Sequence, residues 1–524
     1  MIAQLALRNI TYRPWRSVLL FFGFGVGVAV MIVLLSIGEA LLSQARNERL
    51  IGGGSITVLP EGLDVEVMKT GGIGGLFFSI DHASFVYRQL LASPRFAKDI
   101  PAVAPQIEGR LLYARAPNGN EYPVYVSGEI PSATRAVGAA PEIIAGNWDD
   151  DDGDRRWIAP TMAELRHEID HFHIPSDSVE NRETWAEWHY FNVLSQGGKR
   201  WAFISFIVGG DVTGEKWGGQ LGITLRQQAS GTRNQASDTG YRIPGTGYRV
   251  PDGSTRRFAE TLNRSRVRFS TTDANLTFGD SHVTVLPDGD YEVSAEAREE
   301  SGSNGRIRIN LRLHPAPFAY FPGVSMGSAG FLSGYTVPAL RASASGTICV
   351  DGSCEQLTDA QAYHDHNWGV WRGVTWEWGA SRAGQYTFLY GRVHPPDSTA
   401  SIPPLLVYLI DSLGFRAVFR PKAISYEDGR TVRVGSTTLR VPSHATFSDV
   451  RGEDTLRVDI DVEDAIATDT RPRRGVKEGE RGDPLASEKA HPFFIQMKGK
   501  ARISGRLEGA PLTGTGTGFF ETYR

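Results

Sequence analysis

Hydrophobic and polar residues alternate with a period of two from Trp185 towards the C-terminus, which is the spacing expected of half-buried β-strands. Nine runs carry this pattern: WAEWHYFNVL, RWAFISFIVGG, SHVTVLPDGDYEVSAEA, RIRINLRLHP, GVTWEWGAS, GQYTFLYGRVHP, PLLVYLIDS, RVDIDVED and GTGFFETYR. Turn residues separate the runs, so most connections between strands should be local. The pattern predicts a mainly β fold, built as an antiparallel barrel or sandwich.

A different pattern occupies the N-terminus, where no charged residue interrupts the apolar run between Arg16 and Glu39. A helix of this length can cross a hydrocarbon core of about 30 Å, which predicts a transmembrane helix over residues 17–38. A cleaved signal peptide is the alternative. The run is longer than a usual signal-peptide core, however, and no small-x-small cleavage site directly follows it.

The charges before this run predict its orientation. Arg8, Arg13 and Arg16 precede the run, and no acidic residue lies beside them. Positive charge favours the cytoplasmic side, so residues 1–16 should be cytoplasmic and the chain from about Glu39 extracytoplasmic. The expected location is the inner membrane, as a single-pass protein whose main domains are periplasmic.

Composition shifts divide the remaining chain. The acidic run Asp149–Asp154 resists packing and marks a boundary, which leaves a small α+β segment over residues 39–148. Residues 162–172 have apolar positions near helical spacing, and they predict a short helix or lead-in segment. Residues 227–258 and 469–490 are rich in polar, glycine and charged residues and predict loops.

Overall composition argues for a globular β protein without an electrostatic partner. The chain has 55 basic and 59 acidic residues, a net charge of −4, so we expect no nucleic-acid partner. Its 59 glycines and 11 tryptophans favour short strands and tight turns over helical bundles.

The two cysteines lie in the segment CVDGSC. Its Asp351-Gly352 pair is a strong signal for a type I′ hairpin, which would place Cys349 opposite Cys354 at a separation that suits a disulfide. A zinc-type pair is the alternative, but it lacks the second CxxC or histidine pair that such a site needs.

The segment AYHDHNWG, residues 362–369, concentrates the candidate chemistry. In an extended strand Tyr363, Asp365 and Asn367 share one face, while His364, His366 and Trp368 share the other. If the Asp365 face points into a barrel lumen, burial raises the pKa of its carboxyl group and lets it donate a proton. The alternative is a carboxylate bound to backbone amides or to Arg372.

The His-x-His spacing also fits two metal ligands on one strand face. His364 and His366 would then need a third ligand, for which His189, His394 and Glu377 are candidates. Histidine pairs on strands are more often hydrogen-bonded than metallated, so we expect neither a metal nor another cofactor.

Two further aromatic clusters carry acids. In WAEWHYF, Glu187 and His189 share one face and Trp188 and Tyr190 the other, while in TWEWG Glu377 faces away from Trp376 and Trp378. Together with Tyr390 and the AYHDHNWG residues, they predict a lumen lined by aromatics with a few acids. Such a lumen suits a long apolar or polyene ligand.

Three ordered motifs over about residues 155–524 carry a family resemblance. EWHYF, AYHDHNWG and GTGFFETYR resemble, in order and spacing, the Glu-Trp-Trp-Tyr, Asp-His-Glu/Asn-Trp-Gly and closing Glu-x-x-Tyr motifs of the hydroxyneurosporene synthase (carotenoid 1,2-hydratase) and AttH-like family. The resemblance implies two consecutive lipocalin-like antiparallel β-barrel halves, over residues 155–345 and 346–524. It also implies a ligand site near their junction.

The same resemblance implies a reaction. Relatives include hydratases that protonate a terminal carotenoid double bond and add water. Carried over to this sequence, the acid is Asp365, with Tyr363 beside it, and Trp188, Trp368 or Trp376 could stabilise the resulting cation. One departure is His189, which replaces the family's second Trp and casts doubt on an aromatic stacking wall there.

The N-terminal region carries a second resemblance. The stretches LALRNITYRPWRSVLLFFGFGVGVAVMIVLLSIGEALLSQ, GGGSITVLPEG and IPAVAPQIEGRLLY resemble the first membrane helix and following domain of FtsX/MacB-type ABC transporter permeases. Those permeases carry further membrane helices towards the C-terminus, whereas no second apolar run of that length occurs here. Transport by this chain alone is therefore not expected, although ABC transporter subunits are expected partners.

These observations lead to one main functional hypothesis and two alternatives. The main hypothesis is a membrane-anchored, cofactor-independent hydratase or isomerase that acts on an apolar, isoprenoid-like molecule, with Asp365 as general acid. The first alternative is a non-catalytic module that binds lipid or another hydrophobic ligand for an ABC exporter. The second is a metalloenzyme that uses His364 and His366.

Overall fold

The computed structural model describes residues 14–46, 80–138, 149–177, 179–198, 200–227, 254–300, 304–328, 331–371, 373–395, 404–470 and 492–524. Within these ranges the chain forms two compact units. One comprises Met1–Ala83 with Phe96–Arg155, and the other comprises Ser84–Arg95 with Arg156–Arg524. The second unit holds all the strands from residue 185 onward.

Helices are few in the described residues. They are α1 (Pro14–Arg46), α2 (Ile80–Val86) with a π-helical turn at Tyr87–Leu91, α3 (Pro131–Ala136), α4 (Asp152–Ile158) and α5 (Met162–Ile169). Short 3-10 turns lie at Arg182–Thr184, Gln196–Gly198 and Arg264–Arg266. Helix α5 begins with a capping box, in which Thr161 and Glu164 satisfy each other's backbone N–H groups, and it confirms the helix expected within residues 162–172.

Helix α1 contains the apolar run of the N-terminus. Its segment Pro14–Ile37 has a mean hydropathy of 2.9 and is not buried against the rest of the described chain. By length and composition this segment could cross a membrane. Its bounds overlap the expected span of residues 17–38.

Twenty-five strands make up the rest of the described structure. The first twelve are β1 (Gln106–Arg115), β2 (Glu121–Glu129), β3 (Trp185–Leu194), β4 (Arg200–Gly210), β5 (Trp217–Gln227), β6 (Ser254–Asn263), β7 (Val267–Phe269), β8 (Leu276–Phe278), β9 (Ser281–Val285), β10 (Tyr291–Glu299), β11 (Arg306–Pro315) and β12 (Phe321–Ser328). The others are β13 (Phe331–Val350), β14 (Ser353–Val370), β15 (Thr375–Ala383), β16 (Tyr386–His394), β17 (Leu406–Asp411), β18 (Gly414–Phe419), β19 (Ser425–Glu427), β20 (Arg430–Val434), β21 (Thr437–Val441), β22 (His444–Arg451), β23 (Asp454–Asp469), β24 (Phe493–Leu507) and β25 (Ala510–Tyr523).

The first large sheet closes into a barrel. Its ring runs β3-β4-β5-β6-β10-β11-β13-β14 and returns to β3, and all of its pairings are antiparallel. Eight strands in up-and-down order are the architecture of a lipocalin barrel. The interior is filled by side chains such as Phe191, Phe206, Phe258 and Tyr291, so it is a packed core.

The second large sheet repeats this meander. Its order is β18-β17-β16-β15-β25-β24-β23-β22-β19, with antiparallel pairs throughout. The ring is open between β18 and β22, but hydrogen bonds bridge the gap. The backbone N–H of Arg420 donates to Asp449, and the Arg451 guanidinium donates to the Val418 carbonyl.

The expected mainly β fold of two barrel-like sheets is therefore confirmed. The expected division between residues 345 and 346 differs from the structure, because that position falls inside β13. The Asp351-Gly352 turn joins β13 and β14 within the first sheet, and the change of sheet comes between Val370 and Thr375. A hairpin turn connects neighbouring strands of one sheet, so it could not mark the boundary.

The remaining sequence expectations concern the hairpin and the loops. Cys349 and Cys354 are opposite each other in the β13–β14 hairpin and form a disulfide, with their Cα atoms 3.9 Å apart. Residues 228–253 and 471–490 of the two expected loops lie outside the described residues. Residues 254–258, however, begin β6 rather than ending a loop.

Candidate functional site

The segment AYHDHNWG lies near the end of β14, where the strand is covered on both faces. His364 and His366 project into the first barrel, where His364 stacks on Phe191 at a centroid distance of 4.1 Å. Tyr363 and Asp365 project to the outside of that barrel and face the second sheet. Strand alternation is confirmed, but the lumen belongs to the histidine face rather than to the Asp365 face.

A cavity of about 190 Å³ lies between the two sheets. The first sheet contributes aromatic side chains from β3 and β4, and the second sheet contributes them from β15 and β24. Its aromatic walls include Trp188, Phe203, Trp371, Trp376, Trp378 and Phe494. Two carboxyl groups, those of Asp365 and Glu521, reach the same space.

Asp365 is held by donors on both carboxyl oxygens. The Tyr363 hydroxyl donates to Oδ2 at 2.8 Å, and the Asn367 amide donates to Oδ1 at 2.7 Å. The Trp378 indole N–H in turn donates to the Tyr363 oxygen at 2.9 Å, which leaves the tyrosine O–H to point at Asp365. These contacts fix the rotamer of the carboxyl group while its remaining lone pairs stay available.

The environment of Asp365 favours the protonated form. Only 2% of its surface is exposed. Burial raises the pKa of Asp365 well above its usual range, and the nearby charge of Glu521 adds to this effect, against the opposing hydrogen bonds from Tyr363 and Asn367. A carboxylic acid that stays protonated near neutral pH can act as a general acid.

Glu521, on β25, is the second carboxyl group of the cavity. Tyr190 donates its O–H to Oε1 at 2.8 Å, and the Trp376 indole N–H donates to Oε2 at 2.9 Å. Gln496 donates to the Tyr190 oxygen at 2.6 Å, so the tyrosine proton is directed at Glu521. Burial raises the pKa of Glu521, and these hydrogen bonds oppose the rise.

A separate histidine–carboxylate cluster lies inside the first barrel, formed by Asp170, His173, Glu187, His189, His364 and His366. At its centre is Asp170, which follows α5 and has no exposed surface. Tyr291 and His364 donate to its Oδ2 at 2.8 and 3.0 Å, and His366 Nδ1 lies 2.9 Å from its Oδ1. The other ring nitrogen of His366 contacts Glu187 at 2.9 Å.

Opposite charges face each other in this cluster. Both ring nitrogens of His366 face carboxylates, so both must donate. Burial would lower the pKa of His366, but its hydrogen bonds to Asp170 and Glu187 raise it to about 9. Burial would likewise raise the pKa values of Asp170 and Glu187, but the surrounding histidines hold both below their usual ranges. The result is an imidazolium between two carboxylates, away from water.

Part of the cluster has a donor set that could hold a metal ion. One ligand atom each from Asp170, His189 and His364 lies within 4.8 Å of the others, as do those of His173, Glu187 and His366. Imidazole and carboxylate are ligands that zinc accepts. Hydrogen bonds within the cluster already satisfy most of these atoms. The ring nitrogens of His189 have no hydrogen-bond partner among the described residues, and Nε2 lies 3.5 Å from Asp170.

The sequence-predicted site residues divide between these places. Trp188, Tyr190, Asp365, Asn367 and Trp376 line the cavity, and Tyr363 supports Asp365 from behind. Glu187, His189, His364, His366 and Trp368 lie on the opposite face of β3 and β14, and they do not line this cavity. Trp368 stacks on His173 with a centroid distance of 3.8 Å, on the face of β14 opposite to Asp365.

Two other expected binding residues are also placed elsewhere. Tyr390 is part of the core of the second barrel. Glu377 points to the same inner face, where Arg392 and His394 pair with it at 2.5 and 3.2 Å. Strand alternation explains both, because Trp376 and Trp378 take the cavity side of β15. His394 and Glu377 are consequently not neighbours of His364 and His366.

Sequence reasoning missed the cavity residues Glu521, Gln496 and Trp371, and the cluster residues Asp170 and His173. Glu521 lies within the closing GTGFFETYR motif, which was a signal that could have found it. Asp170 lies in a lead-in segment with no motif of its own. No sequence pattern indicated that it enters a barrel.

Comparisons with known proteins give a likeness of fold. No protein-family model matches the chain, and no curated protein matches it by sequence. Solved structures do resemble it. A candidate AttH from Nitrosomonas europaea is 16% identical with a TM-score of 0.39, over 68% of this chain and 98% of that one.

Two further solved structures give weaker matches. Kievitone hydratase from Nectria haematococca is 11% identical with a TM-score of 0.36, over 68% of this chain and 94% of its own. CghA, solved with Sch210972, is also 11% identical, with a TM-score of 0.34 over 65% and 89%. At these scores the chemistry must be argued from this chain's own side chains.

Proposed function

We propose that this protein is a cofactor-independent hydratase, of the hydro-lyase class, that protonates a carbon–carbon double bond of an apolar isoprenoid-like molecule. The observation that carries the proposal is the Asp365 carboxyl group in an aromatic-walled cavity, where burial raises its pKa well above the usual range. The resemblance of the chain's three motifs to those of carotenoid 1,2-hydratases and AttH-like proteins supports the same reaction class. Kievitone hydratase, a fold neighbour, carries that activity in its name.

The reaction follows from the cavity's chemistry. The Asp365 O–H transfers its proton to one alkene carbon, the π electrons form the new C–H bond, and a cation develops on the other carbon. Water then forms the C–O bond, and the proton that it loses restores the Asp365 carboxylate to the acid by the end of the cycle. The faces of Trp188 and Trp376 lie along this space and can stabilise the cation electrostatically.

The size of the cavity bears on the substrate. Pockets that enclose a whole drug-sized ligand hold about 300–1,000 Å³. At about 190 Å³, this cavity suits one end of an isoprenoid chain, where the reacting double bond would lie. A carotenoid-like polyene would therefore enter with its terminus first.

The test is the substitution Asp365→Asn in the full-length chain. The reaction would be followed by mass spectrometry with lycopene, squalene and farnesol in heavy-oxygen water. The wild type should incorporate heavy oxygen into the product, and the variant should lose at least about 100-fold in turnover because it lacks the acid. Ligand binding and thermal stability should stay nearly unchanged, and Glu453→Gln, at an exposed position, is the control.

Unchanged turnover in Asp365→Asn would refute the acid assignment. If the wild type binds these molecules and converts none of them, the cavity is a binding module for a hydrophobic ligand. In that case Trp376→Ala should weaken binding, whereas Asp365→Asn should not.

The location and partners form part of the proposal. Helix α1 would anchor the chain in the inner membrane with residues 1–16 in the cytoplasm, and ABC transporter subunits would be its neighbours. The disulfide supports an oxidising, periplasmic location for the barrels. Protease digestion of spheroplasts should cleave the barrels from outside, and resistance until lysis would contradict this orientation.

A further inference from the structure

We propose that Asp365 and Glu521 work as one catalytic pair that shares a single proton, with Asp365 as the acid and Glu521 as the base that deprotonates the attacking water. The inference rests on the proposed hydratase function and deepens it. It adds a catalytic residue that lies on the other sheet from Asp365.

The placement of the two groups is the first argument. Asp365 comes from β14 of the first sheet and Glu521 from β25 of the second, and both line the same cavity. Only 2% and 7% of their surfaces are exposed. A substrate held between the sheets would therefore have one carboxyl group on each wall.

The hydrogen bonds are the second argument. Each oxygen of Glu521 accepts one bond, from Tyr190 and from Trp376, and the indole N–H can only donate. Gln496 fixes the direction of the Tyr190 proton. This set of donors stabilises a carboxylate that is already oriented towards the cavity, as a base for water requires.

The electrostatics agree with this division of roles. When two buried carboxyl groups interact electrostatically, ionisation of one raises the pKa of the other. The negative charge of Glu521 contributes to the raised pKa of Asp365. The other charged groups near the cavity are Arg257 and Glu300 on its wall, while His366 lies behind Asp365 on the opposite face of β14.

The proton and electron balance closes without a further reactant. Asp365 loses its proton to the alkene carbon, the water oxygen bonds to the cationic carbon, and the water proton passes to Glu521. The products are an alcohol, a carboxylate at Asp365 and a carboxylic acid at Glu521. Transfer of one proton from Glu521 to Asp365 then restores the starting state.

The first test needs no substrate. The infrared C=O stretch of a protonated carboxyl group would be followed against pH in the full-length wild type, Asp365→Asn, Glu521→Gln and the exposed control Glu453→Gln. The band should persist at neutral pH in the wild type and disappear in Asp365→Asn. In Glu521→Gln it should titrate away at lower pH, because the neighbouring charge is gone. An unchanged midpoint in Glu521→Gln would show that the two groups are not coupled, and would overturn the inference.

The second test separates this inference from the proposed function. With lycopene, squalene and farnesol as probes, Glu521→Gln should lose at least about 100-fold in turnover. Loss in Asp365→Asn with near-normal turnover in Glu521→Gln would remove Glu521 as the base and leave the hydratase proposal intact. Normal turnover in both variants would overturn the hydratase proposal itself.

Discussion

At the scale of single residues, Asp170 organises the inside of the first barrel. It lies on a segment that precedes the barrel strands, yet Tyr291, His364 and His366 all bind its carboxylate. Removing one partner of a buried ion pair costs about 3–5 kcal/mol, because the remaining charge is left without compensation. Asp170 therefore connects residues 162–172 by hydrogen bonds to β14, the strand that carries Asp365.

His366 predicts how stability depends on pH. Its folded pKa of about 9 lies above the usual histidine value of 6.5. Its contribution is therefore fully present below about pH 6.5 and is lost as the pH rises through about 9. With about 1.36 kcal/mol for each pKa unit, the loss should be of the order of 3 kcal/mol. Urea unfolding of the wild type between pH 6 and 10 measures it.

The substitution His366→Gln should remove this part of the pH dependence and lower the free energy of unfolding at pH 6. The control is His282→Gln, on the outside of β9, where the imidazole pairs with Glu292 at a solvent-exposed position. In that variant the free energy of unfolding should depend on pH as it does in the wild type. If His366→Gln also kept the wild-type dependence of unfolding free energy on pH, protonated His366 would not be the group that stabilises the fold.

At the scale of elements, β14 shows how much a local pattern can specify. Alternation alone separated Asp365 from His364 and His366, and the structure keeps that separation. Alternation could not say which face is the lumen, because β3 and the AYHDHNWG part of β14 are covered on both faces and have no solvent side to mark the outside. The side facing the second sheet was therefore available only from the tertiary fold.

The β13–β14 hairpin yields a prediction on the disulfide. Its six-residue loop, Cys349 to Cys354, is short, so the entropy gained by closing it is limited. Replacing both cysteines by serine should lower the free energy of unfolding by about 2 kcal/mol. Reduction of the wild type should give the same loss, measured by urea unfolding. A much larger loss in either case would mean that the disulfide maintains the native hairpin rather than restricting the unfolded chain.

At the scale of the whole molecule, the β unit includes a segment from far upstream. The expected permease-like segment of residues 39–148 is not a single body, since Ser84–Arg95 belongs with the barrels. Phe85 packs near Tyr320 and Tyr408, each at a centroid distance of 6.0 Å. Arg95 pairs with Asp411 at 2.5 Å. Apolar contacts and an ion pair thus fix this segment to the barrels.

A truncation tests this arrangement. A chain beginning at residue 156 lacks these contacts, whereas one beginning at residue 80 keeps them. We expect the shorter chain to be less stable by about 3 kcal/mol, the scale of removing one large aromatic side chain from a core. Thermal and urea unfolding of both proteins measure the difference. Tyr113→Ala, at a position 66% exposed, is the control in the longer chain and should have little effect. Equal stability of the two chains would show that the segment contributes nothing to the barrels.

Features that depend on neighbours along the chain can be predicted from the amino-acid sequence. These are the apolar helix, the alternating strands, the CVDGSC hairpin and the separation of the two faces of AYHDHNWG, because each follows from a local period or turn. Contacts between residues that are far apart in the sequence are visible only in the folded chain. In the folded chain β14 pairs with β3, Asp170 lies inside the first barrel, and Glu521 lines the same cavity as Asp365. Such contacts depend on how whole sheets pack, and no local pattern specifies that packing.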